Sequence, residues 1–123
     1  NATTLYVPLV GVNPATGRET YIKLQMSNNI VPSANVKFFI LADDGSIVTT
    51  YDKTLTAGQL LTVTGSELKA AAIAAGKTIS GDSFAVRIVI PNQESEIYAY
   101  ATMVDPSGAK RVPVKVVGGR ILE

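Results

Sequence analysis

The chain has 123 residues, 46% of them hydrophobic and 17% charged, with a net charge of +1. That composition suits a single domain spanning residues 1–123 with a buried core; it excludes a disordered chain and the strongly basic footprint of a nucleic-acid binder. Cys and His are absent, which removes thiol nucleophiles, disulfides, imidazole bases and thiolate- or His-ligated metal sites.

Val, Ile and Thr supply 36 of the 123 residues, a β-branched excess that predicts strands. No apolar run approaches the ~18 residues of a membrane-spanning helix. Asn1-Ala2 reads either as a mature end after signal cleavage or as a tag remnant, so the functional reading does not use it.

The first strand is expected over residues 4–12, with Leu5, Val7 and Leu9 on one face and Tyr6, Pro8 and Val10 on the other. Asn13-Pro14-Ala15-Thr16-Gly17 is a turn: Pro presets φ, Asn bonds its own backbone and Gly supplies a positive φ. Residues 20–28 alternate Ile22, Leu24 and Met26 with Tyr21, Lys23, Gln25 and Ser27, the period of a half-buried strand. Residues 35–42 point Val36, Phe38 and Ile40 inward, while Phe39 and Leu41 make the other face apolar as well. Asp43-Asp44-Gly45 marks a hairpin, and residues 46–55 and 60–64 follow as strands.

A helix is expected near residues 66–75. Thr64-Gly65-Ser66-Glu67 has the spacing of a capping box, with Ser66 an alternative cap. Leu68, Ala71, Ala72 and Ala75 recur at helical spacing, and Gly76 is the stop. After Gly81-Asp82, residues 83–90 place Phe84, Val86, Ile88 and Ile90 on one face. Residues 96–104 turn Ile97, Ala99, Ala101 and Met103 inward. Beyond Asp105-Pro106-Ser107-Gly108, residues 111–117 turn Val112, Val114 and Val116 inward.

The fold class is therefore all-β for the most part: an antiparallel β-sandwich of about eight strands with one short helix, a closed barrel being the alternative. Pro8 and Pro113 lack an amide donor, which predicts edge positions for both of their strands.

Few residues suggest chemistry. Asp43-Asp44-Gly45-Ser46 looks like a calcium-loop fragment, but no acid completes a set of six to eight oxygens, and a hairpin turn is the expectation. Glu94 and Glu96 form a carboxylate pair in a polar loop. Ser66 has no base to activate it. No catalytic residue, cofactor or metal is expected. The tyrosines carry more: Tyr6, Tyr21, Tyr98 and Tyr100 all fall on outward positions, where an aromatic strip serves protein contact or sugar stacking. With Leu5, Val7 and Leu9 of the first strand they make up the candidate interaction surface.

The segments Thr4-Leu5-Tyr6-Val7-Pro8, Tyr21-Ile22-Lys23-Leu24, Ala34-Asn35-Val36-Lys37-Phe38, Asp44-Gly45 and Ala57-Gly58-Gln59 resemble those of secreted bacterial immunoglobulin-like β-sandwich modules. The resemblance covers roughly the first half of the chain. It implies a non-catalytic adhesive, structural or binding role outside the cell, and the inserted alanine-rich helix departs from the plain immunoglobulin-like pattern.

The functional expectation is a secreted or cell-surface protein that self-associates into a filament or surface layer through edge strands, a homo-oligomer or polymer with no nucleic-acid partner and no membrane span. A polysaccharide-binding module is the alternative. The sharpest form of the first is that residues 3–12 leave their own sheet to complete a neighbour's; against it stands a hairpin between residues 3–12 and 20–28 within one domain.

Overall fold

The structure is a computed structural model that describes residues 2–27, 31–91 and 96–117. Among these residues, nine strands and one helix follow in the order β1 (Ala2–Gly11), β2 (Glu19–Met26), β3 (Ser33–Leu41), β4 (Ile47–Thr56), β5 (Leu60–Thr64), α1 (Gly65–Ala74), β6 (Ser83–Pro91), β7 (Ile97–Asp105), β8 (Gly108–Val112) and β9 (Lys115–Val117). They form a five-stranded sheet, β4-β3-β6-β1-β9, and a four-stranded sheet, β5-β2-β7-β8, with every pairing antiparallel. The sandwich expected from the strand periods is the architecture observed, and the sheets do not close into a barrel.

Alternation builds the core. Val36, Phe38 and Ile40 of β3 and Phe84, Val86, Ile88 and Ile90 of β6 face Ile22, Leu24 and Met26 of β2, all of them buried. Each such side chain contributes on the order of 1.5–3 kcal/mol when removed from water. Leu5, Val7, Val10, Val12, Leu55, Val63, Leu68, Ala101 and Val112 belong to the same cluster.

Four expectations about β1 and the C-terminal run are corrected. Residues 3–12 make no hairpin with β2; β1 lies between β6 and β9 in the other sheet. Nor is Pro8 on an edge strand. The register passes from Val7↔Val86 to Val10↔Phe84, so Pro8 and Leu9 together oppose Ala85, and Pro8 sits in this bulge beyond the last β9 pair, Tyr6↔Lys115. The extra residue inverts the alternation: Val10 is fully buried and Leu9 is 41% exposed, the reverse of the expectation. At the other end, the run 111–117 is divided between the two sheets. Pro113 lies between β8 and β9, where the chain crosses from one sheet to the other.

The sheets are tied together at the end of β1. Buried Thr20 of β2 accepts from Gly11 N at 2.8 Å and donates from Oγ1 to Gly11 O at 3.0 Å, serving both backbone groups of the facing sheet. An added Cβ at Gly11 would lie 2.6 Å from Met103 Sδ and 2.9 Å from Arg18 Cδ, so both of those long side chains would have to move aside.

The helix closes the side of the sandwich between β4 and β5. Thr64 is its N-cap, accepting from Glu67 N at 3.1 Å, and Glu19 Oε1 accepts from Ser66 N at 3.0 Å. Glu67 does not complete a capping box. Its carboxylate takes the Tyr51 hydroxyl and pairs with Lys53 Nζ at 3.4 Å, pinning α1 to β4. At the other end, Gly76 takes a φ of 76°, Gly76 N donates to Ile73 O and Lys77 N to Ala72 O, a Schellman arrangement. Gly65 is a close approach: an added Cβ would meet Val12 Cγ2 at 2.5 Å and Val10 Cγ1 at 2.9 Å.

Two outcomes test this framework. Thr20→Val keeps shape but leaves both Gly11 groups unpaired, and is expected to cost about 1–3 kcal/mol in chemical denaturation. Tyr51 is pushed up to about 12 by its bond to Glu67, with burial and the carboxylate charge adding to the effect. A raised folded pKa means that this contribution is complete below the ordinary value of 10.0 and is lost as pH rises through about 12. Denaturation midpoints measured across that window should fall in the wild type, and Tyr51→Phe should remove that component of the fall.

Candidate functional site: the tyrosine face of the four-stranded sheet

Strand pairing decides which tyrosines meet. β2 and β7 run antiparallel with Tyr21↔Thr102, Lys23↔Tyr100 and Gln25↔Tyr98 in register. Residues of one parity on each strand fill the core, so the other parity stands on the outer face. That face carries Tyr21, 38% exposed, Tyr100, 48%, and Tyr98, 56%. Tyr98 and Tyr100 are successive outward residues of β7, and Tyr21 is the diagonal neighbour of Tyr100, at the ~7–8 Å spacing that long aromatic side chains bridge. β5 adds Leu60 opposite Gln25, and β7 adds Val104 at its far end.

Polar groups frame the rings. Lys23 lies between Tyr100 on one side and Thr62 on the other. Gln25 Nε2 donates to Gly58 O at 3.1 Å, which ties it to the β4–β5 turn. The Tyr98 hydroxyl donates to Glu96 Oε1 at 2.7 Å, and this bond to a carboxylate holds the phenol above its ordinary pKa. Arg111 of β8 stands opposite Thr102.

The other candidate residues are elsewhere. Leu5 and Val7 are fully buried in the core of their own sandwich, so they are not surface residues. Tyr6, 39% exposed, is on the outside of the five-stranded sheet, on the opposite side of the molecule from the other three. There it faces Arg87, whose guanidinium lies 4.5 Å from the centre of the Phe39 ring on the next strand. Leu9 is brought to the surface by the β1 bulge, and Ile47 is exposed at the start of β4. Leu60 and Val104 were missed as site residues, although Val104 has the same parity as Tyr98 and Tyr100 and was legible on that ground.

The remaining polar motifs are local. Asp44 Oδ1 accepts from Ser46 N at 2.9 Å and Ser46 Oγ at 2.6 Å inside the hairpin turn, which holds its carboxyl below the usual range. Asp105 and Ser107 repeat that arrangement at the β7–β8 turn. Of the carboxylate pair, Glu96 is bonded to Tyr98, and Glu94 lies outside the described residues. Among the described residues no three Asp or Glu side chains converge as a metal site.

No family model, curated protein or solved structure matches the chain. The fold is shown as an antiparallel β-sandwich with one helix and not as a member of a named family. Replacing Glu96 by Gln is expected to return Tyr98 towards its ordinary pKa of 10.0, as followed by the ring resonances of Tyr98 in a pH titration.

Proposed function

We propose that the chain is a non-catalytic β-sandwich module of a secreted or cell-surface protein that works by self-association, as a subunit of an extracellular filament or surface layer. The observation that carries this reading is the convergence of Tyr21, Tyr98 and Tyr100 with Leu60 and Val104 on one outer sheet face. Aromatic residues are enriched at interfaces because they bury large area at small entropic cost and keep a polar tip for hydrogen bonding. The opposite face of the sandwich exposes Tyr6, Leu9 and Ile47. Two unlike apolar faces on opposite sides favour a heterologous contact, in which the four-stranded face of one molecule meets the five-stranded face of the next. Such a contact propagates as an open column unless its rotation closes. β1 pairs with β6 and β9 of its own chain, and the proposed contact is made through faces. Low charge supports self-association, and the resemblance of the first half supports a place outside the cell.

A second reading, a polysaccharide-binding module, rests on the same face: two adjacent rings on β7 stand beside Lys23 and Gln25, which offers stacking and hydrogen bonding together.

One pair of variants tests both. Tyr98→Ala/Tyr100→Ala changes exposed positions only, so its melting temperature should stay near that of the wild type. Light scattering over a concentration series should show the wild type growing in mass and the double variant lagging by at least about tenfold in association constant, given that a buried aromatic anchor contributes over ~1.4 kcal/mol. Wild type that stays monomeric throughout overturns self-association; retention on a polysaccharide gel that the double variant loses then establishes the second reading.

A further inference from the structure

A cleft of about 320 Å³ opens at one end of the sandwich, between the β3–β4 hairpin and the segment leading into β6. Leu41 and Val48 line it from the hairpin, Ile79 and Phe84 from the other side. Phe84 is buried, and Val48 and Ile79 pack against the main core, so the apolar wall is fixed by the fold. Asp43 and Asp44 also line it, and no Lys or Arg does. Their roles differ. The Asp44 carboxylate is turned into its own hairpin by Ser46 N and Oγ, which fixes the turn. The Asp43 carboxylate is exposed and has no hydrogen bond or ion pair among the described residues.

We infer that this cleft binds a small organic cation: a primary ammonium on a short alkyl chain or a single aromatic ring. Its volume is at the lower end of ligand pockets, which run from about 300 to 1,000 Å³ and combine apolar walls with a few polar groups. The apolar body lies against Leu41, Val48, Ile79 and Phe84, and the ammonium is directed to Asp43. Both oxygens of the Asp43 carboxylate are open to the ammonium, whereas Oδ1 of Asp44 is already engaged by Ser46 N and Oγ, which leaves it one oxygen to offer. Charge complementarity selects the cation, since an anionic ligand of the same shape meets two carboxylates. The site is built on the hairpin end of the five-stranded sheet and is independent of the tyrosine face.

The probes are 2-phenylethylamine, its neutral analogue 2-phenylethanol and the anion 3-phenylpropionate, each titrated into the full chain at low salt and followed by amide resonances. The amine should shift residues of the hairpin and of the segment before β6, and bind at least about tenfold more tightly than the alcohol, the factor expected of one charge-assisted contact. Asp43→Asn should remove that advantage while leaving the melting temperature unchanged, because the side chain is exposed and unbonded. Ser80→Arg, which introduces a cation at the lining of the cleft, should abolish amine binding. The inference is overturned if the amine shifts nothing at saturating concentration, if the three probes bind alike, or if Asp43→Asn binds the amine as the wild type does.

Discussion

The bulge at Pro8-Leu9 is the constraint on which the rest of the sandwich depends. A continuous β1 would offer Leu5, Val7 and Leu9 to the core and turn Val10 outward. Opposing two residues to Ala85 instead brings Val10 inward, and Val12 is buried as well. Those two valines are the contacts that leave no room for a side chain at Gly65, where α1 begins. The shift also delivers Gly11 to Thr20, so the backbone at the end of one sheet is satisfied by a hydroxyl from the other. Proline has no donor to give to a ladder, and a bulge beyond the reach of β9 asks for none.

The helix follows from the same economy of partners. Its apolar stripe is mostly alanine, and only Gly65, Leu68 and Ala72 of it are buried. A ten-residue helix of this kind is too short to persist alone in water. Polar contacts at its N-terminal end hold it in place: Thr64 and Glu19 take amides of the first turn, and Glu67 reaches Tyr51 and Lys53 on β4. These contacts sit where the two sheets would otherwise part, so α1 acts as a clasp between β4 and β5.

The two outer faces differ in how far their rings are covered. The five-stranded face stacks Arg87 on Phe39, which covers part of its apolar surface within the molecule. On the four-stranded face, Tyr21, Tyr98 and Tyr100 remain substantially exposed, and the Glu96 bond orients Tyr98. The difference between the faces comes from what stands opposite each ring across the ladder, an arginine in one case and Lys23, Gln25 and Thr102 in the other.

Periodicity alone determined much of this protein. The period-2 runs of β2, β3, β6 and β7 name their own inward residues, because a half-buried strand must alternate; the capping signal at Thr64 and the stop at Gly76 bracket α1 for equally local reasons. The outward positions of Tyr21, Tyr98 and Tyr100 were legible in the same alternation. What only the tertiary structure decided was partnership. Pro8 announced that β1 was irregular, but edge and bulge satisfy a missing donor equally well, and the choice rests on where Lys115–Val117 pairs, more than a hundred residues away in the chain. Nothing local separates Tyr6 from the other three tyrosines, since each alternates correctly within its own strand; the assignment of strands to sheets placed it on the far side. Pro113 likewise marks a break in residues 111–117 whose cause, a crossing between sheets, is a property of the whole fold. Alternation is a one-strand rule, and the identity of the neighbouring strand is set by burying both sheets' apolar faces at once.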